Sequence, residues 1–232
     1  MGTIMRKYEA VIFDLDGTLL DTLEDLRDAV NYAMRKNQFQ EHSLEEIRKA
    51  VGNGIRKLIE RCVPEGTKSE IVEAVFADFR VYYKENCKNK TKPYDGMKEL
   101  VKKLKEEDYK LAVVSNKNHE AVQEIIPYYF GDLFDISVGA MEEMKKKPAP
   151  DTTFLALEKL GVANGKAIYV GDSQVDVETA KNSGLEGIFV TWGFRSREEL
   201  AEAGAQEFAD TVNQLYKKIM AKNGKCLYES VE

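Results

Sequence analysis

The sequence predicts an α/β protein with a parallel sheet core, helices on both faces of the sheet and a small inserted α-helical cap domain. Two patterns predict this architecture. Short, uniformly apolar runs alternate with helical patterns, which is typical of a parallel sheet that is covered on both faces. A separate helical block follows the first of these runs, and it interrupts the alternation.

Four apolar runs have the composition of buried strands, and two weaker segments extend the set. The four runs are Ala10–Phe13, Leu111–Val114, Ala167–Val170 and Gly187–Val190. The weaker segments are Phe134–Val138 and a short edge piece at Phe208–Ala209. Parallel strands that are joined through helices in this way predict a Rossmann-like core.

The region between the first two strands is predicted to be helical. Ser43 and Glu46 have the spacing of a capping box, which starts a helix. Apolar residues recur at helical spacing on either side of it, as Leu23, Leu26, Val30 and Met34, and later as Ile71, Val75 and Phe79. We therefore expect a cap over residues 19–91 and a discontinuous core over 1–18 and 92–232. Such a cap would cover the carboxyl edge of the sheet, where open α/β sheets bind ligands.

Composition narrows the classes of partner. The net charge of −6 and the isoelectric point near 5.3 argue against nucleic acid, which requires a basic face. No apolar stretch approaches the roughly 20 residues that a membrane span requires, and the N-terminus has no signal-peptide core. We therefore predict a cytoplasmic protein, monomeric or homodimeric, whose partner is a small molecule and neither nucleic acid nor membrane.

Two carboxylates follow the first predicted strand, in the segment Asp14–Thr18. Asp14 and Asp16 lie two residues apart, so in extended chain they leave it on the same side. Their mutual repulsion is relieved by a hard divalent cation, and oxygen ligands suit Mg²⁺. Gly17 lets the chain turn away from the strand. A polar loop with a turn glycine would give the same short pattern, so this motif alone is not decisive.

The ends of the other strands add weight to this interpretation. Ser115 and Asn116 follow the second long strand, Lys147 opens the segment Lys147–Asp151, and Gly171–Ser173 is followed by Asp176 one helical turn later. Each has a simpler explanation as a helix cap or a solvated lysine face. Together they place carboxylates, a hydroxyl and a cation at the strand ends, a combination that is not expected by chance.

With these four motifs in this order, the sequence resembles the haloacid dehalogenase-like hydrolase superfamily from Tyr8 to about Asn213. Three longer segments are similar to its phosphoglycolate phosphatase branch: Asp16–Thr22, Val51–Gly54 and Thr191–Gly193. The resemblance implies a phosphatase that acts on a small phosphorylated metabolite through an aspartyl-phosphate.

The resemblance also implies a role for each motif residue. Asp14 would be the nucleophile, and Asp16 the general acid and later the general base. Mg²⁺ would be held by the side chains of Asp14 and Asp172 and by the backbone carbonyl of Asp16. Asp176 and Thr18 would support this site from outer positions.

Further residues are expected to contact the substrate. The phosphoryl group would be held by Ser115, Lys147 and the backbone amide of Asn116. Contacts to the leaving group are expected from the cap, where we name Gly52, Asn53, Gly54 and Arg56 as candidates. Glycines there allow close backbone approach, and a helix predicted to begin near Ile55 would present its N-terminal amides.

Two other functions remain open from the sequence. A phosphomutase of the same superfamily uses the same aspartates, so the motifs do not exclude it. A phospho-aspartate signalling receiver also combines aspartates, a hydroxyl and a lysine around magnesium. Receivers are about half this length, and they lack both the helical insert and an acid/base at the position of Asp16.

Overall fold

The computed structural model describes residues 7–52 and 54–224, and the chain divides into two compact units. The first unit contains the residues up to Leu19 and those from Tyr94 onward, and the second is Leu20–Pro93. Within the described residues, no helix is both long enough and apolar enough to cross a membrane.

Elements are numbered along the whole described chain. The strands are β1 (Ala10–Phe13), β2 (Leu20–Asp21), β3 (Lys92–Pro93), β4 (Lys110–Asn118), β5 (Ile136–Ala140), β6 (Ala167–Gly171), β7 (Glu186–Val190) and β8 (Phe208–Ala209). The helices are α1 (Leu23–Lys36), α2 (Leu44–Ala50), α3 (Ile55–Cys62), α4 (Ser69–Asn86), α5 (Met97–Glu106), α6 (His119–Phe130), α7 (Asp151–Leu160), α8 (Gln174–Ser183), α9 (Arg197–Glu202) and α10 (Val212–Lys222).

The first unit is built on a parallel sheet with the strand order β5-β4-β1-β6-β7-β8. Every neighbouring pair is parallel, and β1 lies between β4 and β6, with Ala10 opposite both Lys110 and Ala167. Each apolar run predicted to be a strand contributes to this sheet. The predicted α/β fold with its parallel sheet is confirmed.

The apolar runs are buried because helices cover the sheet. On one face, Ile12 and Tyr169 lie in a core cluster with Leu157 of α7 and Val177 of α8. Elsewhere in the unit, α5 contacts both β4 and α10. All four residues of β1 have no exposed surface, which explains why this strand reads as a continuous apolar run.

Strand β4 extends further than its apolar run predicts. It continues past Ser115 to Asn118, and its register against β5 shifts between Val114 and Asn118. Val114 pairs with Val138 and Asn118 pairs with Ala140. Between these two pairs, β4 therefore advances by four positions and β5 by two. Such irregularities redirect side chains. Here the irregular stretch is the one that contains Ser115, Asn116 and Lys117.

The second unit is helical, as the sequence predicts for this region. Helices α1 to α4 enclose their own core, which includes Val30, Ile59 and Phe79. The predicted capping box at the start of α2 is present, with both reciprocal bonds between Ser43 and Glu46. The short strands β2 and β3 pair antiparallel at the beginning and end of this unit, and the sequence analysis did not predict them.

Candidate active site

Three carboxylates converge at the carboxyl ends of two adjacent strands, β1 and β6. Asp14 follows β1, Asp172 follows β6, and Asp176 lies in the first turn of α8. One carboxylate oxygen from each lies within 4.8 Å of the others. Asp172 and Asp176 have no exposed surface, whereas Asp14 remains 8% exposed. Among the three, Asp14 is therefore the carboxylate with surface open to a substrate-sized molecule.

Lys147 supplies the positive charge of this cluster. Its Nζ lies 2.7 Å from Asp14 Oδ1 and 2.7 Å from Asp176 Oδ1, and the lysine side chain is buried. The backbone of Lys147 is fixed by Asn116, whose side chain donates to the Lys147 carbonyl at 3.0 Å and accepts its N–H at 2.9 Å. The structure thus brings together three of the candidate site residues, Asp14, Asp176 and Lys147.

Asp176 also organises the loop between β6 and α8. Its Oδ2 accepts hydrogen bonds from the backbone amides of Asp172 and Ser173 and from the Ser173 hydroxyl. Ser173 in turn caps α8, which makes a second capping box. Because Oδ2 is already engaged three times, this carboxylate is held rigidly.

Asp172 is held from two other segments of the chain. The Thr18 hydroxyl donates to Asp172 Oδ1 at 2.9 Å, and the Phe194 amide donates to Oδ2 at 2.8 Å. Gly17 makes room for this carboxylate, because a Cβ at residue 17 would collide with it. Gly17 also has a φ of 88°, in the left-handed region where a side chain is strained. The glycine after Asp16 is thus required by both space and backbone conformation.

The electrostatics of the cluster reflect an excess of negative charge. Burial, followed by the charge of Asp176, raises the pKa of Asp14 well above its ordinary value. The same two causes, in the same order, raise the pKa of Asp172 to about 7. Burial alone would lower the pKa of Lys147, but the carboxylates of Asp14 and Asp176 outweigh it and raise that pKa well above its usual range. Lys147 is therefore charged at neutral pH.

The donor set fits a divalent cation. When all three carboxylates are ionised, they and the one ammonium leave two negative charges in a buried site, and one divalent ion would cancel them. The side chains of the cluster offer carboxylate oxygens, the type that hard cations such as Mg²⁺ and Ca²⁺ prefer. The buried acidic cluster can thus accept a divalent metal ion.

Asp16 lies beside this cluster and has a different partner. Lys117 Nζ lies 3.0 Å from Asp16 Oδ1 and 3.4 Å from Oδ2. The Lys117 side chain is buried, whereas that of Asp16 is 21% exposed. Asp14 and Asp16, the two carboxylates of the segment Asp14–Thr18, are therefore both partly exposed, and each is paired with its own lysine.

The predicted phosphate-binding residues of β4 lie in its irregular stretch. Ser115 is buried, and its hydroxyl accepts a hydrogen bond from the Lys117 amide at 3.1 Å. The side chain of Asn116 is engaged with Lys147, so any contact of Asn116 with a ligand would have to come from its backbone. Roles for these two residues in phosphate binding stay predictions.

The cap candidates lie in the second unit. Gly52 and Gly54 have φ values of 129° and 87°, and α3 begins at Ile55 as predicted. Asn53 lies outside the described residues. Arg56 lies 3.0 Å from Glu60 and 2.7 Å from Glu73, so its charge is already balanced by two carboxylates. The expectation that Arg56 contributes an available positive charge is weakened by these ion pairs.

Three contributors to the site were missed by the sequence analysis: Lys117, Tyr169 and Phe194. Lys117 is two residues beyond Ser115, which in extended chain places both on the same side, and this spacing could have identified it. The Tyr169 hydroxyl lies 3.1 Å from both Lys147 Nζ and Asp176 Oδ1. A tyrosine inside a buried strand needs a hydrogen-bond partner, and that was its signal. Phe194 acts through its backbone amide, which leaves no mark in the sequence.

The sequence is similar to those of known hydrolases. A family model described as haloacid dehalogenase-like hydrolase matches residues 11–190. The phosphoglycolate phosphatase of Aquifex aeolicus is 35% identical over 185 residues, covering 79% of this chain and 85% of that protein.

Solved structures extend the likeness to nearly the whole chain. A protein of Lactobacillus delbrueckii subsp. bulgaricus aligns with a TM-score of 0.88 and 36% identity, covering 93% of this chain and 99% of that one. A predicted phosphoglycolate phosphatase from Haemophilus somnus aligns with a TM-score of 0.85 and 28% identity, at the same coverage. With its sequence motifs, its fold and its cluster of carboxylates around Lys147, this chain belongs to the haloacid dehalogenase-like hydrolase family.

Proposed function

We propose that the chain is a Mg²⁺-dependent phosphatase that hydrolyses a small phosphorylated metabolite through an aspartyl-phosphate on Asp14. The observation that carries the proposal is the exposure pattern of the carboxylate cluster. Asp172 and Asp176 are fully buried, while Asp14 reaches the surface beside Lys147 and next to Asp16. We thus assign the nucleophile to the one partly exposed carboxylate of the cluster, which is paired with a cation and lies two residues from a second carboxylate.

In the first half-reaction, an oxygen of Asp14 attacks phosphorus and the bond from phosphorus to the leaving oxygen breaks. Asp16 gives its proton to that oxygen, so the leaving group departs as an alcohol. Lys147, with Ser115 and the Asn116 amide, contacts the phosphoryl oxygens and offsets their charge. In the second half-reaction, Asp16 takes a proton from water, the water oxygen attacks phosphorus, and Asp14 is released.

The metal would be held by the side chains of Asp14 and Asp172 and the backbone carbonyl of Asp16. When bound, Mg²⁺ reduces the repulsion between an anionic nucleophile and an anionic phosphate. Asp176 would support it from outside, because its oxygens are committed to Lys147, Tyr169 and the loop at residues 172–173. Thr18 would orient Asp172 through their hydrogen bond.

Phosphoglycolate is the substrate we favour, since the Aquifex aeolicus relative and the Haemophilus somnus structure carry that name. Recognition of its carboxylate by the cap residues Gly52, Asn53, Gly54 and Arg56 is part of the proposal. The ion pairs of Arg56 with Glu60 and Glu73 shift the expected contact from this side chain to the backbone around Gly54.

A panel of phosphorylated metabolites, with phosphate release measured in Mg²⁺ and in excess chelator, tests the proposal. We expect release from phosphoglycolate in Mg²⁺ and none in chelator, with Asp14→Asn as the inactive control. A sugar phosphate should be included, and its products identified. Conversion to an isomer without phosphate release would favour the alternative phosphomutase.

A further inference from the structure

Tyr169 carries a hydroxyl that the packing of its ring does not require. Tyr169 is in β6, where its neighbours Ile168 and Val170 are apolar, and its side chain has no exposed surface. The ring belongs to the apolar core cluster, and phenylalanine would fill nearly the same volume. The hydroxyl lies at the polar end of this side chain, 3.1 Å from Lys147 Nζ and 3.1 Å from Asp176 Oδ1.

The hydrogen bonds of this network can be assigned without conflict. A lysine ammonium has three N–H donors and no acceptor. In Lys147 they are directed to Asp14 Oδ1, Asp176 Oδ1 and the Tyr169 oxygen. The Tyr169 hydroxyl accepts from Lys147 and donates its own proton to Asp176 Oδ1. Every donor of the ammonium is therefore used within the protein.

Of the three hydrogen bonds that Lys147 donates, one can be exchanged for a bond to the substrate and two cannot. The N–H directed to Asp14 points to the nucleophile, where a phosphoryl group must arrive, so this donor can pass to a phosphoryl oxygen. The other two remain on Asp176 and Tyr169. Asp176 is fixed through Oδ2 by Ser173 and the Asp172 amide, and Tyr169 is fixed by its buried ring.

We propose that Tyr169 is a positioning residue: its hydroxyl, with Asp176, holds the Lys147 ammonium so that one N–H is directed at the phosphoryl group. This role rests on the proposed phosphatase function and deepens it. Tyr169 does not touch the substrate and acts through Lys147. Its loss should therefore weaken contacts to the phosphoryl group, which all substrates share, and leave contacts to the leaving group unchanged.

The test is Tyr169→Phe, which removes one oxygen and keeps the ring. Tyr109→Phe is the matched control, because Tyr109 is also buried in the first unit and its hydroxyl accepts from Asn223 Nδ2 at 2.6 Å. Both variants are compared with the parent for the free energy of unfolding, for kcat/KM on an aryl and an alkyl phosphate, and for the dissociation constant of inorganic phosphate by calorimetry, all in saturating Mg²⁺.

For Tyr169→Phe we expect phosphate binding to weaken about tenfold or more, as for loss of one hydrogen bond to a charged group. The loss in kcat/KM should be of similar size and equal for the two substrates. Tyr109→Phe should change neither quantity by more than about twofold, even where it lowers stability. Unchanged phosphate binding and kcat/KM in Tyr169→Phe, or an equal loss in Tyr109→Phe, would overturn the role of Tyr169.

The outcome separates this inference from the proposed function. An active parent with an unaffected Tyr169→Phe contradicts the inference alone. A parent that releases no phosphate from any substrate contradicts the proposed function, and the ratio of phosphate dissociation constants then decides the role of Tyr169. A parent that neither turns over substrates nor binds phosphate contradicts both.

Discussion

Lys117 Nζ lies 3.0 Å from Asp16 Oδ1 while Lys147 Nζ lies 2.7 Å from Asp14 Oδ1, so each accessible aspartate has its own buried lysine. The two pairs face different parts of the proposed reaction. In that reaction Lys147 and Asp14 would act on the phosphoryl group, whereas Lys117 would hold the carboxylate of Asp16, the proposed proton donor to the leaving oxygen. This division predicts that the two lysines can be distinguished by the choice of leaving group.

Replacing Lys117 with methionine should slow hydrolysis of alkyl phosphates more than that of aryl phosphates. Without its partner, Asp16 is less well placed to protonate the leaving oxygen, and an alkoxide needs that proton more than a phenolate does. We expect the loss in kcat to be roughly tenfold or more greater for the alkyl substrate. Lys110→Met is the control, since Lys110 is also in β4 but contacts the Leu160 carbonyl. Equal losses on both substrates would contradict this role.

Gly17→Ala should disrupt the proposed metal site. The new Cβ would collide with the Asp172 carboxylate, and φ at this position is 88°. We expect a stability loss of roughly 1–3 kcal/mol together with weakened stabilisation by Mg²⁺. Gly165→Ala is a matched control, with a φ of 80° but no atom within 4 Å of the added Cβ. Denaturant unfolding with and without Mg²⁺ measures both effects, and equal Mg²⁺ responses in the two variants would argue against the collision.

The stability of the metal-free protein should fall as pH rises from about 4 towards 7. The pKa of Asp172 is raised to about 7 from an ordinary 3.8, so in this range the folded state binds a proton that the unfolded state has released. The group therefore contributes less stability at higher pH, and the full shift corresponds to roughly 4 kcal/mol. Asp14, whose pKa is also raised, acts in the same direction.

Mg²⁺ should reverse this trend, because it binds the ionised carboxylates and competes with their protons. Denaturant unfolding at about pH 5 and about pH 8 should show a larger Mg²⁺ stabilisation at the higher pH. In Asp172→Asn, both the pH dependence and the Mg²⁺ effect should be reduced. A stabilisation by Mg²⁺ that is independent of pH would mean that the carboxylates are already ionised without metal.

Gly54→Val tests the proposed role of the cap in recognising a second anion. Gly54 precedes α3 with a φ of 87°, which valine adopts only with strain, so the backbone at residue 54 should change. We expect kcat/KM on phosphoglycolate to fall by an amount that corresponds to about 1–3 kcal/mol of transition-state stabilisation. The fall in kcat/KM on a neutral aryl phosphate should be much smaller. Gly66→Val, at a φ of 80° in the same unit, is the control. Matching losses on the two substrates would indicate a general packing defect.

The sequence predicted the fold well because the strands of the sheet are buried on both faces and read as apolar runs. It could not predict β2 and β3, since two residues are too few to show a periodicity. The end of β4 was misplaced because its last residues are polar: Lys117 and Asn118 remain in the strand while the register against β5 shifts.

The candidate site was predictable where a residue type carries the chemistry, as at Asp14, Asp172 and Lys147. It was not predictable where a residue serves two purposes. Tyr169 packs its ring in the core and contacts Lys147 with its hydroxyl. Because its sequence neighbours are apolar, the sequence indicates only the packing role. Asn116 was expected to contribute its backbone amide, but its side chain fixes the backbone of Lys147, a contact between residues 31 positions apart.

The central claim is that Asp14 becomes phosphorylated, and intact-mass measurement after rapid quenching tests it most directly. With an aryl phosphate and Mg²⁺, Asp16→Asn should gain the mass of one phosphoryl group. The phenolate of this substrate leaves without a proton donor, so the phosphoenzyme still forms, whereas its hydrolysis lacks the general base Asp16. Peptide mapping should place this group on Asp14. Asp14→Asn should gain nothing, and a phosphoryl adduct on that variant would contradict the account.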